Sequence, residues 1–284
     1  MGWSVKLTAE QAGIPADTLR RPHQTGKRFN NNMAAIFCFT STGNSLYTAR
    51  MLAERIGGTV TPMNHGAIRS EDDVIGFVFP VYFWGLPRMV ERFVTEMEIT
   101  NKDAYVFAVA TCGGPVFGVL GRLKALLKPK GIHLRYGVRL ISVTNYLPEY
   151  EAKDSDALRQ KIDESISMIA GAVNKRECNR IQVFSILNKI IYKTFPNERS
   201  DQYFTVASTC TGCETCQKVC PAKNIIMTEG KPGFQHRCEH CLACLHSCSA
   251  HAIDWKQKTQ GKDRYRNAAI SLPDLISFNN SQGS

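Results

Sequence analysis

Residues 34–58, AAIFCFTSTGNSLYTARMLAERIGG, hold a strand, a turn and a helix in immediate succession. Ala34 to Phe39 is a short apolar run. The turn Thr40-Ser41-Thr42-Gly43-Asn44-Ser45 follows it, and Leu46, Ala49, Ala53 and Ile56 then recur at helical spacing until Gly57-Gly58 stops the helix. A strand, a hydroxyl-rich turn and a helix N-terminus together make an anion site, because free backbone N–H groups and the helix dipole point at whatever binds there. The turn has no Lys, which separates it from GxxxxGK[ST] nucleotide loops. An ST-rich helix cap is the plainer reading of the same residues.

Two more apolar runs extend the pattern. Val74 to Phe79 reads as a strand buried on both faces and delivers Pro80-Val81-Tyr82-Phe83-Trp84-Gly85, and Ala104 to Ala110 delivers Thr111-Cys112-Gly113-Gly114-Pro115. Helical stretches separate them at Pro87 to Met97 and Val116 to Leu127. A further strand is expected at Leu134 to Val143, then the rim loop Thr144-Asn145-Tyr146-Leu147-Pro148, and then a helix with Leu158, Ile162, Ile166, Ile169 and Val173 on one stripe. The alternation predicts a doubly wound α/β domain with a parallel sheet. In such sheets ligands bind outside the carboxyl ends of the strands, so the three loops should meet at one site.

The hexapeptide resembles the flavodoxin phosphate loop T-x-T-G-N-[ST], matched at Thr40, Thr42, Gly43, Asn44 and Ser45. That resemblance implies strand order 2-1-3-4-5 and an FMN whose phosphate is held by hydroxyls and amides. Thr40, Ser41, Thr42, Gly43, Asn44 and Ser45 are then candidate phosphate contacts. Pro80, Tyr82, Phe83, Trp84, Gly85, Thr111, Gly113 and Gly114 are candidate ring contacts, with the aromatics stacking or serving as core.

Eight of the eleven cysteines fall in two runs of identical spacing, Cys210-x2-Cys213-x2-Cys216-x3-Cys220 and Cys238-x2-Cys241-x2-Cys244-x3-Cys248. Three thiolates within seven residues can wrap one corner of an iron–sulfur cube, which is the ligand pattern of two 4Fe-4S clusters. Zinc favours separated C-x2-C pairs, and a disulfide scaffold belongs to short secreted chains, whereas MGWSVKLTAE lacks the apolar core of a secretory leader. The repeat extends further, since Cys220-Pro221-Ala222-x-x-Ile225 is echoed by Cys248-Ser249-Ala250-x-x-Ile253. Each copy reads as a strand (Phe204 to Val206, then Phe234 to His236), a cysteine loop, a helical turn and a second strand from Ile225 or Ile253. Residues 203–258 thus resemble a bacterial 2(4Fe-4S) ferredoxin, a small α+β domain, with Ser249 where that family usually has proline. In such two-cluster proteins the fourth cysteine of each run serves the other cluster. The implied sets are Cys210, Cys213, Cys216 and Cys248, and Cys238, Cys241, Cys244 and Cys220. So small a unit needs the clusters as core and staples.

Residues 33 to 270 as a whole resemble the fused flavodoxin-fold and ferredoxin proteins of the EFR type, common in anaerobes. The marks are Thr42-Gly43-Asn44-Ser45-Leu46, Pro80-Val81-Tyr82-Phe83-Trp84-Gly85-Leu86-Pro87, Asn145-Tyr146, both cysteine runs and Arg264-Tyr265. The resemblance implies electron transfer between FMN and two 4Fe-4S clusters, in exchange with an unidentified redox partner or substrate. The competing reading is a zinc-binding interaction protein with an empty α/β scaffold. The expected organisation is an extension at 1–32, an FMN-binding domain at 33–176, a linker at 177–202, the cysteine domain at 203–258 and a basic tail at 259–284. The extension is expected to be disordered, although Leu7 to Arg21 reads as a fragment of helix-turn-helix. The linker carries an amphipathic helix through Ile181, Phe184, Leu187, Ile190 and Ile191.

A net charge of +10 is partly local, in Lys256, Lys258, Lys262, Arg264 and Arg266. It suggests a docking rim for an acidic carrier such as a ferredoxin, or merely a solvated tail. No stretch interleaves aromatic and basic residues as an RNA platform does, and no membrane span is legible, so a cytoplasmic protein is expected. Cys38 and Cys112 read as packing thiols and Cys178 as a plain linker thiol. His236, His240 and His246 read as outer partners of the ligands or surface groups. No Ser/His/Asp arrangement or paired carboxylates can be read.

Overall fold

Side chains of the central strands alternate strictly between two apolar layers, and this places the sheet. Phe37 and Phe39 of β1 (Ala34–Cys38 and the residue after it) face one layer, Ile36 and Cys38 the other. The alternation repeats in β4 (Val74–Pro80), with Ile75, Phe77 and Phe79 opposite Val78, and in β6 (Tyr105–Cys112), with Val106, Ala108 and Ala110 opposite Phe107 and Val109. A strand with both faces buried must lie in a sheet covered on both sides. The computed structural model describes residues 34–281 apart from 65–67, 115, 117 and 182–197. The expectations for residues 1–32 and for the linker helix beyond Ile181 lie outside the described residues.

The sheet is parallel throughout, in the order β2-β1-β4-β6-β7, with β2 at Gly58–Pro62 and β7 at Leu134–Ile141. Counting sheet strands alone, this is the expected 2-1-3-4-5 order of a flavodoxin-like fold. Helices α2 (Arg88–Glu96) and α3 (Val119–Leu127) cover one face, and α1 (Asn44–Ile56) and α4 (Asp156–Asn174) the other. Two short strands, β3 (Arg69–Ser70) and β5 (Glu98–Ile99), pair beside the sheet.

Helix α1 ends where expected. Gly57 takes φ 72 and its N–H donates to the Ala53 carbonyl. Gly58 starts β2 with no room for a side chain, since a Cβ there would stand 2.5 Å from the Ala34 oxygen.

The C-terminal region holds two antiparallel ribbons and two short helices. Strand β8 (Phe204–Val206) pairs β11 (Ile253–Trp255), and β9 (Ile225–Thr228) pairs β10 (Lys231–Phe234). Helices α5 (Thr215–Val219) and α6 (Ala243–His246) carry the third cysteine of each run. The strand expected at Phe234 to His236 lies three residues earlier, because His236 has φ 56 and its N–H turns to the Asp201 carboxylate instead of a ladder. The last stretch is no mere solvated tail, since α7 (Leu272–Asn280), capped by Ser271, buries Leu275, Phe278 and Asn279 and packs on β2 and α5. No helix among the described residues is long and apolar enough to cross a membrane.

Gly76 of β4 lies opposite Phe107 of β6. A Cβ at Gly76 would come within 2.4 Å of the Phe107 ring, which is fully buried and cannot swing away. We expect Gly76→Ala to lower unfolding stability by about 1–3 kcal/mol, and more so than Gly171→Ala in α4, where a Cβ meets nothing and the backbone is helical. Urea denaturation of both variants measures the difference.

Candidate functional site

The loops after β1, β4, β6 and β7 enclose a cavity of about 550 Å³, within the range of small-ligand sites. Of the candidate residues, Thr40, Ser41, Thr42, Asn44, Ser45, Pro80, Tyr82, Phe83, Trp84, Thr111, Gly113 and Gly114 line it. Gly43 and Gly85 are absent from the wall. Gly43 sits behind it at φ 98, donating its N–H to Thr40 Oγ1, and Gly85 closes a turn with Tyr82.

The anion end follows from helix geometry. No side chain caps the first turn of α1, so its N–H groups keep their capacity for a ligand. The surrounding hydroxyls are ordered by one another. Ser45 Oγ and Thr111 Oγ1 are 2.8 Å apart, and Asn145 Nδ2 donates to Thr42 Oγ1 at 2.6 Å and Ser41 Oγ at 3.3 Å. Among the described residues the cavity wall contains no Lys or Arg. Gly113 lets the β6 and β7 loops close together, for a Cβ there would overlap Thr144 Oγ1 at 1.8 Å.

The three aromatics divide their roles. Tyr82 and Gly85 exchange backbone hydrogen bonds across a two-residue turn, which forces positive φ on Phe83 (47°) and Trp84 (61°). Such turns normally use Asn-Gly, so each residue here stores about 1–2 kcal/mol. Tyr82 packs edge-on against Phe39, with its hydroxyl buried beside Ser41 and without a hydrogen bond of normal geometry. Trp84 projects outward, 57% exposed.

Phe83 meets Tyr146 and His240, and His240 comes from the second cysteine run. With Cys241 and Leu242 it completes the cavity wall. Its imidazole is buried, which pushes its pKa down to about 4, and Ser200 Oγ and Tyr146 Oη lie 3.2 and 3.4 Å from its two nitrogens. His246 is likewise pushed down to about 4 by burial. Tyr265 N–H donates to its Nδ1, so Nε2–H donates to the Asn145 carbonyl.

The two cysteine runs share one backbone path. Positive φ recurs at Gly212 and His240, Glu214 and Leu242, Lys223 and His251, and Glu229 and Gln257, each pair 28 residues apart. The sulfur contacts repeat too, as Asn224 N–H donates to Cys220 Sγ and Ala252 N–H to Cys248 Sγ, both at 3.3 Å. Cys220 lies close enough to raise the thiol pKa of Cys238, Cys241 and Cys244 beyond what their burial does, and Cys248 acts in the same way on Cys216. The fourth cysteine of each run therefore faces the other run. Cys213 is exposed, whereas Cys216, Cys220 and Cys244 are buried. Among the described residues no three His, Cys, Asp or Glu side chains are placed to hold a single metal ion.

One fastening was not legible beforehand. Asn44, in the anion loop, receives hydrogen bonds on Oδ1 from Tyr265 Oη (2.7 Å) and Asn267 Nδ2 (3.1 Å), and its own Nδ2 donates to the Val143 carbonyl. Asn267 N–H also donates to the Thr42 carbonyl. Of the five basic residues expected to form a rim, Lys256 covers the Tyr203 and Trp255 rings, Lys262 bonds the Leu147 carbonyl and Arg264 the Ile253 carbonyl.

No protein-family model matches the chain, and no curated protein does. Solved structures similar to it include a protein described as a flavoprotein from Bacteroides uniformis, 18% identical over 38% of this chain and 90% of that one, with a TM-score of 0.34. Another is an FMN-dependent NADH-azoreductase from Bacillus anthracis, 10% identical over 50% and 99% of the two chains, TM-score 0.37. A third is a flavodoxin from the domain Archaea, 12% identical over 49% and 97%, TM-score 0.33. Likeness at that level carries no functional weight, and the fold rests on the strand order.

Asn44→Ala removes three hydrogen bonds and leaves the buried Tyr265 hydroxyl unpaired. We expect a loss of about 2–3 kcal/mol in unfolding free energy, seen as a lowered urea midpoint at unchanged slope.

Proposed function

We propose that the chain is an electron-transfer iron–sulfur flavoprotein of the EFR kind. It would pass electrons between an FMN in the cavity and two 4Fe-4S clusters, in exchange with a separate redox protein. The observation that carries this reading is the shared wall, in which Cys241, a cluster ligand on this view, and its neighbours His240 and Leu242 line the same cavity as the anion loop.

The residues fit both groups. Thr40, Ser41, Thr42 and Ser45 with the open first turn of α1 would hold the FMN phosphate without a cation. The unpaired Tyr82 hydroxyl and the Gly113-Gly114 backbone offer polar partners to the ring, and Phe83 and Trp84 offer flat apolar surface. Cys210, Cys213, Cys216 and Cys248 would hold one cluster, and Cys238, Cys241, Cys244 and Cys220 the other. Burial holds Cys241 and Cys244 well above the ordinary thiol range, so a coordinating metal would be needed to draw them out as thiolates. The strained backbone at Glu214, His240 and Leu242 persists only where something over-determines it, and ligation would do so.

When bound, FMN supplies both one- and two-electron chemistry and each cluster a one-electron step. The chain's part is to order the sites. His240, neutral and packed among Phe83, Tyr146 and Trp255, fixes the Cys238–Cys241 loop against the cavity and excludes water from the gap. Cys213, the exposed member of the other cysteine set, would give a docked partner access to it. The net charge of +10 favours an acidic ferredoxin-like partner.

Anaerobically purified protein is expected to be brown-yellow, with about eight iron and eight sulfide per chain and one FMN. A colourless, zinc-loaded protein would refute the reading. In Cys216→Ser, flavin reduction by reduced ferredoxin should collapse while FMN stays bound. Thr42→Val should weaken FMN binding to apoprotein about tenfold, ~1.4 kcal/mol, measured by flavin fluorescence.

A further inference from the structure

His246, at the end of α6, reaches the anion loop by two routes. Its Nδ1 accepts from the Tyr265 N–H at 3.1 Å, and its Nε2 donates to the Asn145 carbonyl at 2.8 Å. A backbone N–H only donates and a carbonyl only accepts, so a single neutral tautomer satisfies both. Beyond Tyr265 the path runs through its hydroxyl to Asn44 Oδ1 at 2.7 Å. Beyond Asn145 it runs through Nδ2 to Thr42 Oγ1 at 2.6 Å and Ser41 Oγ at 3.3 Å. One buried imidazole of the cysteine region thus holds both sides of the loop.

These bonds decide what the loop can offer. A hydroxyl whose oxygen accepts from an amide keeps its own hydrogen for another partner, so Thr42 Oγ1 has a donor left for an anion in the cavity it lines. Asn44 opens α1, and fixing its side chain fixes the direction of the uncapped first turn. With no Lys or Arg among the described wall residues, an anion there depends on oriented donors and not on a neighbouring cation.

The internal repeat provides the comparison. The position 28 residues earlier in the first cysteine run is Lys218, half in solvent and 3.0 Å from Glu214. The cysteine loop therefore folds without a histidine at this place, and the buried ring at 246 serves the joint with the anion loop. His246 is absent from the cavity wall, so it acts on a ligand only through Tyr265 and Asn145.

We propose that His246 is a positioning residue that sets the cavity's preference for a phosphorylated flavin over the same flavin without its phosphate. The inference rests on the FMN reading above. The candidate ring contacts lie on the loops after β4 and β6, outside this set of bonds, so loosening it should cost phosphate binding and spare ring binding.

The test uses the full chain purified anaerobically, with its iron counted and its flavin removed, and titrates FMN and riboflavin by the quenching of flavin fluorescence. The ratio of the two dissociation constants is the readout, because a general loosening of the fold weakens both alike. H246L should bind FMN about tenfold more weakly with riboflavin affinity unchanged, and K218L, the same change in the first run, should keep the original ratio. An unchanged ratio in H246L overturns the proposal, whether both affinities hold or fall together, and so does K218L shifted as far as H246L. Should H246L fail to fold or lose its iron, Y265F decides, since it cuts the path at Asn44 and keeps the buried ring. A reduced preference for FMN in Y265F supports the proposal, and an unchanged one overturns it. An unmodified chain that binds neither flavin sinks the FMN reading and this inference together, whereas one that prefers FMN no less in H246L sinks the inference alone.

Discussion

The molecule turns on the burial of His240. The residue lies between two cysteines and takes φ 53, as its counterpart Gly212 does at φ 69, so the cysteine-loop path and not the histidine dictates the backbone there. With a side chain present, that backbone places an imidazole between the two regions, where it meets Phe83 after β4 and Tyr146 after β7 on one side and Ser200 before β8 and Trp255 on β11 on the other. Desolvation keeps the ring neutral, so it can sit there without a counterion. Five separate stretches of chain are thereby fixed relative to one another around a single side chain.

Around that contact the two regions are joined mainly by polar fastenings, many of them at helix ends and backbone carbonyls. Glu239 Oε2 accepts from Met89 N–H in the first turn of α2, with Arg92 3.7 Å from its other oxygen, and Arg88 donates to the Cys238 carbonyl. His246 holds Asn145, Tyr265 holds Asn44, and Asn279 of α7 donates to the Val219 carbonyl at the end of α5. Hydrogen bonds that answer otherwise orphaned helix termini add little net stability each, but they are directional and set the register of the joint. The apolar core of the cysteine region is small by comparison, with ten buried residues that include three of the cysteines.

How legible this was depended on whether a residue's role is local. The strands at 34–39, 74–79 and 104–110 announce themselves because both faces are buried, and the cysteine spacing is itself a local geometry. Strand β2, GTVTP, did not, because an edge strand buries one side only and its alternation is weak. The strand placed at Phe234 to His236 was misjudged because Asp201, far away in sequence, captures the His236 N–H. The same limit hid His240 and the strap at Tyr265 and Asn267. Their partners are 44 (Asn), 83 (Phe) and 146 (Tyr), reached only through the tertiary fold. Helix α7 was read as tail because its Ser-Leu-Pro start was not weighed as an N-cap followed by an early proline, the usual sign of a helix beginning.

The distribution of exposure gives the last step. The cavity opens to solvent beside Trp84, while the Cys213 thiol reaches solvent from the first cysteine run. Cys244 and Cys220 are buried, Cys241 lies on the cavity wall, and Cys220 comes from the same run as Cys213. Because each run contributes its fourth cysteine to the other's surroundings, on the iron–sulfur reading neither set would reach its full complement without both runs in place. On the iron–sulfur reading, a displacement that spoiled the surface set would also withdraw a ligand from the set beside the cavity. Crossed ligands would thus tie the integrity of the buried end to that of the exposed end, and the fastenings of Asn44 to Tyr265 and Asn267 would extend the same dependence to the anion loop.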